Sequence, residues 1–113
     1  MVLTSGGVLA ATQWNLGLVP VQEQGYTTSW YNKELDSHPI AASVKCTEST
    51  ATAFEVKVVD YWGIPATYSK TIGEGSNTLL YYIDEEAYFA QYRLFVQATP
   101  RGGTGSAHLY FTP

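Results

Sequence analysis

The chain has 113 residues, 45% of them hydrophobic and only 14% charged, against roughly one-quarter charged in ordinary globular domains. This is one domain with apolar mass for one continuous core and no need of a disulfide or metal to fold. The net charge is −4 and the six cations, Lys33, Lys45, Lys57, Lys70, Arg93 and Arg101, are scattered. That pattern argues against nucleic acid, whose phosphates demand clustered cations, and against adhesion to anionic lipid.

Residues 1–11 faintly resemble the tail of a secretory signal, but they lack a basic start and Gly6-Gly7 interrupts them, so they read as ordinary N-terminal sequence. No apolar run approaches the roughly 18–20 residues of a membrane-spanning helix. Residues 1–20 are expected to be largely irregular, with extended structure around 8–14. Gly17 and Pro20 limit any helix there. Residues 26–31 read as a strand with Tyr26, Thr28 and Trp30 on one side. Residues 32–39 are polar, end in His-Pro and read as a loop. A strand over 40–46 turns Val44 and Cys46 inward. Turn composition at 47–50 then predicts an antiparallel hairpin with residues 51–60, whose inward positions include Val56 and Val58.

Residues 61–65 form a loop with Tyr61 and Trp62 at its tip. A strand over 66–72 places Tyr68 and Ile72 inward, and Gly73 and Gly75 mark the following turn. Residues 78–83 are expected to bury Leu79, Tyr81 and Ile83. Asp84, Glu85 and Glu86 open a crossing loop. The clearest pattern in the chain is 91–99, where Tyr92, Leu94, Val96 and Ala98 alternate with Arg93, Phe95, Gln97 and Thr99. A hairpin loop over 100–105 leads to a last strand at 106–112 that buries Ala107, Leu109 and Phe111. Strands at about ten-residue spacing with turn signals between them specify an all-β, small antiparallel β-sandwich, with a small barrel as the alternative.

Tyr92 opens the penultimate strand and is followed by alternating apolar residues. In this the last thirty or so residues resemble immunoglobulin-like and fibronectin type III-like sandwiches, and the resemblance implies a Tyr92 hydroxyl bonded back to the preceding corner. It concerns architecture and carries over no residue function.

No constellation for catalysis is present. Asp84, Glu85 and Glu86 are adjacent, so an extended chain alternates them between faces, and they read as a solvated turn with Asp84 as a cap. Calcium is the functional alternative, with Asp60 or Glu74 as further donors. His38 and His108 lack a third zinc ligand unless Cys46, the sole cysteine, turns away from the core, where it reads as a buried, inert thiol. Gly102-Gly103-Thr104-Gly105 lacks the Lys-Ser/Thr ending of a phosphate loop. No catalytic, cofactor-binding or metal-binding residue is assigned.

Nine Tyr, three Trp and four Phe are the feature to explain. Trp30, Tyr68, Tyr81, Tyr92 and Phe111 run in register with apolar neighbours and are expected in the core. Tyr31, Tyr61, Trp62, Tyr82, Tyr88, Phe95 and Tyr110 fall off that register or in loops. From these, Tyr61, Trp62, Tyr31, Tyr82 and Tyr88 are the candidate partner-binding residues, because outward rings give large contact area at small entropic cost. The bland alternative is that outward tyrosines only support strand pairing. The expectation is a non-enzymatic binding domain, secreted or at a cell surface, engaging a protein partner or another copy of itself. The alternatives are a carbohydrate-binding module using the rings as a sugar platform, and an assembly unit of a surface layer, phage or pilus.

Overall fold

The computed structural model describes residues 12–33, 40–83 and 91–113, and these form nine strands and no helix. They are β1 (Trp14–Val21), β2 (Tyr26–Thr27), β3 (Tyr31–Asn32), β4 (Ala41–Ser49), β5 (Phe54–Val59), β6 (Lys70–Ile72), β7 (Asn77–Tyr81), β8 (Gln91–Ala98) and β9 (Gly105–Thr112). Two antiparallel sheets pack face to face, one in the order β1-β9-β4-β7, the other β2-β8-β5-β6, with β3 also paired to β8. The β-sandwich expected from alternation is therefore what the chain forms.

Strands β2 and β3 are two halves of one edge strand, since Tyr26 pairs with Val96 and Tyr31 with Tyr92 along the same flank of β8. The break falls at Thr28, which is buried and replaces a lost backbone pairing: its Oγ1 accepts from Leu94 N at 3.0 Å while Thr28 N donates to Leu94 O at 2.9 Å. Counted as one strand, the halves leave eight, and these pair first with last, second with seventh, third with sixth and fourth with fifth. A long ribbon doubled at its middle and rolled over on itself gives this order, which is that of a jelly roll. The β5–β6 connection is the fold in the ribbon, and it carries Tyr61 and Trp62. Every other strand connection in that count crosses between the sheets.

Two expected hairpins are therefore corrected. β4 pairs with β7 and β9, not β5, and β8 pairs with β5 and the β2/β3 edge, not β9. Immunoglobulin sandwiches keep their last two strands in one sheet, so the likeness stops at the sandwich itself.

The core lies between the sheets. It is built from inward residues of the longer strands, including Val19, Val44, Cys46, Phe54, Val56, Val58, Leu94, Val96, Leu109 and Phe111. β7 departs from expectation. Leu80 and Tyr82 point inward, whereas Leu79, Tyr81 and Ile83 are exposed. Residues 79–83 are apolar throughout, so their alternation carries no contrast, and pairing of Ala42 with Leu80 sets the phase. Tyr68 is also exposed, because the inward position before β6 is taken by Thr67, whose Oγ1 accepts from Val58 N at 3.0 Å. β1 is a strand where irregular chain was expected. Gly17, at φ +68, sits at a register shift in β1, and Pro20 is tolerated because β1 is a sheet edge.

Candidate functional site

The loop at the fold of the ribbon is closed on its own hydrogen bonds. Asp60 Oδ1 accepts from Trp62 N at 2.9 Å and Ile64 N at 3.0 Å. Asp60 N donates to Ile64 O at 2.9 Å, and Gly63 N donates to Asp60 O at 3.0 Å. Gly63 takes φ +80, a conformation that glycine adopts without steric cost. An aspartate bonding its own following backbone makes a tight turn that leaves the intervening side chains no route inward. Tyr61 and Trp62 are accordingly 57% and 70% exposed, with Ile64 exposed beside them.

These rings continue into a cluster. Trp30, from the break between β2 and β3, lies 5.8 Å from Tyr61, and Tyr61 lies 5.5 Å from Trp62. The Arg93 guanidinium stands 4.3 Å from the Trp30 ring centre. Arg93 is on the outward face of β8, opposite Val59, the last residue before the loop. Trp30 was expected in the core and is half-buried here instead. Its partnership with Arg93 crosses strands remote in sequence, so no local pattern signals it.

The remaining outward rings are mostly capped. Lys57 Nζ stands 5.1 Å from the Phe95 ring, Lys45 5.9 Å from Tyr110 and Lys70 5.7 Å from Tyr81. With Lys33 over Tyr82 and Arg93 over Trp30, five of the six cations lie on aromatic faces. The lysine ammonium groups thus lie against aromatic faces, and that of Lys33 also donates to Pro113 O at 2.7 Å. Among the described residues no cation lies over Tyr61 or Trp62, nor over the exposed Tyr26 and Tyr68; the first two differ in standing side by side on one hydrogen-bonded loop.

Of the other sequence candidates, Tyr31 and Tyr82 do not join this cluster. Tyr31 is half-buried and turned to the core, 5.7 Å from Trp14 and edge-on to Phe111 at 6.1 Å. Tyr82 was expected outside and is 8% exposed, against Tyr92 at 5.3 Å, because the phase of β7 is reversed. Tyr88 lies outside the described residues. The Tyr82 hydroxyl is buried with no hydrogen-bond partner among the described residues. Burial pushes its ionisation far above the usual tyrosine range, and the neighbouring Tyr92 adds to the shift. Replacing Tyr82 with Phe removes a desolvated, unsatisfied hydroxyl and is expected to raise stability by about 1 kcal/mol in urea denaturation. A loss of stability would show that the hydroxyl has a partner.

Cys46 is buried as expected, and burial pushes its thiol up, aided by Glu74 and opposed by a 3.4 Å contact to Glu48 O. Of the carboxylates considered for calcium, Asp60 serves its own loop, Glu74 accepts from Ser49 N at 3.0 Å, and residues 84–86 are outside the described residues. His38 is also outside them. His108 pairs with Asn15 Oδ1 at 2.8 Å and stacks on Tyr110. Among the described residues no group of three potential metal ligands is found, and no helix is long and apolar enough to cross a membrane. A cleft of about 580 Å³, lined by Glu23, Glu55, Gln97 and Thr104 among others, lies toward the other end of the β5–β8 pair from the aromatic cluster.

The fold and the exposed cluster together define a small jelly-roll sandwich that displays aromatic side chains at the fold of its ribbon. Comparison with known proteins found no matching family model, no similar curated protein and no similar solved structure.

Proposed function

We propose that this domain is a non-catalytic binding module whose Tyr61–Trp62 loop inserts into a pocket on a protein partner. The observation that carries this reading is a rigid loop holding two uncapped aromatic rings in solvent. A loop already ordered by its own hydrogen bonds loses little freedom on binding, so more of the burial energy remains as affinity. Trp and Tyr are also the side chains that most often dominate an interface.

The ring planes favour protein over sugar. Trp30 and Tyr61 are inclined at 34°, and Tyr61 meets Trp62 at 85°. A carbohydrate platform calls for rings in a common plane, whereas a projecting tryptophan suits a pocket. The test is selection of binders from a random-peptide display library against the folded domain. Trp62→Ala is expected to weaken the selected peptides by roughly 30-fold, about 2 kcal/mol, with the circular-dichroism spectrum unchanged. Peptides that bind the variant equally well would remove this surface. Saturable quenching of tryptophan fluorescence by a sugar found on a glycan array would move the assignment to carbohydrate. Self-association of the domain alone in sedimentation, lost in Trp62→Ala, would make the partner a second copy.

A further inference from the structure

We infer that Arg93 makes this aromatic surface selective for an acidic peptide segment, one presenting a carboxylate beside a bulky apolar side chain. The inference rests on the binding reading above and specifies the partner's chemistry.

Arg93 is held in place without being satisfied. Its guanidinium carbon lies over the Trp30 ring, 4.3 Å from the ring centre, which restricts where the fork can point. Its Nε is shut off from solvent and has no hydrogen-bond partner among the described residues. No hydrogen bond or ion pair to the Arg93 side chain is present among the described residues. Asp60, the carboxylate in the adjoining loop, is engaged by the amides of Trp62 and Ile64. A guanidinium has five donors in a rigid plane; with Nε enclosed, an incoming acid meets the terminal N–H groups. Stacking compensates the charge only in part.

The group that matches an oriented guanidinium is a planar carboxylate, which takes two parallel hydrogen bonds from it. Trp30, Tyr61 and Trp62 beside it supply apolar contact for the residue next to that carboxylate. A nucleic acid or phosphate-dense surface calls for several cations in one place. Lys45 and Lys70 lie over Tyr110 and Tyr81, and Lys57 over Phe95, two residues along β8 from Arg93, so the site carries one guanidinium fork.

The same peptide selection tests this. Trp62-dependent peptides are expected to be enriched in Asp or Glu next to an aromatic or aliphatic residue. Replacing that acid by its amide is expected to cost about tenfold or more in affinity. Arg93→Gln is expected to cost the same, with no further loss when both changes are combined, and Arg93→Lys to recover only part, since it restores charge without the fork. The peptide-side change leaves the domain intact, so a folding defect in the Arg93 variants does not spoil the reading. Trp62-dependent peptides with no acidic enrichment and no response to Arg93→Gln would overturn this inference and leave the aromatic surface standing. Failure to select any Trp62-dependent peptide would overturn both.

Discussion

Truncation of Phe111 to alanine is expected to cost about 4 kcal/mol of unfolding free energy, the range found when a buried phenylalanine leaves a cavity. Phe111 is fully buried on β9, flanked by Trp14 of β1 and Val44 of β4. Its ring also receives the edge of Tyr31, which comes from the other sheet. The side chain therefore contacts both layers, and the strands around it belong to different sheets that cannot close together on the vacated space. Domains of this size have roughly 5–15 kcal/mol in total, so the variant should sit close to its unfolding threshold at room temperature. Urea denaturation measures this directly. A cost under about 1 kcal/mol would mean that Phe111 is not the packed centre described here.

Gly102→Ala is expected to cost about 3 kcal/mol, the upper part of the usual range for forcing atoms into filled space. A Cβ at Gly102 would lie 1.9 Å from Ala53 O and 2.7 Å from Thr99 Oγ1. The first of these is backbone and cannot rotate away. Gly102 O also accepts from Thr52 N at 2.9 Å, and Gly102 N donates to Thr99 Oγ1 at 3.0 Å. Two crossings between the sheets, β4 to β5 and β8 to β9, are thus clamped together at this residue. The control is Gly103→Ala, where no atom lies within 4 Å of the added carbon and only the strain of φ +75 is incurred. Thermal unfolding of the pair separates steric overlap from backbone strain. Equal midpoints would show that the clamp at Gly102 is not close-packed.

The aromatic surface was partly legible in the chain. Tyr61 and Trp62 lie in a loop bounded by Asp60 and Pro65, and adjacency alone shows that rings there have no strand to bury them. Trp30 and Arg93 were not legible as partners, because 63 positions separate them and the break at Thr28 decides where Trp30 points. Tyr82 was misplaced for a different reason. In a run where every residue is apolar, hydrophobicity does not distinguish inside from outside, and only the register with β4 does.

Alternation in β4, β5, β8 and β9 dictated strands, their inward residues and hence a two-layer β protein, because a strand's faces are fixed by its own backbone. Strand partners were decided only in three dimensions. A period of two says that a segment has a greasy side, but not which neighbour supplies its backbone hydrogen bonds. The rolled ribbon is held by contacts between residues far apart in the chain, among them Thr52 with Gly102 and Thr28 with Leu94. It is that rolling which brings the half-buried Trp30 and the unpaired Arg93 to the loop bearing Tyr61 and Trp62.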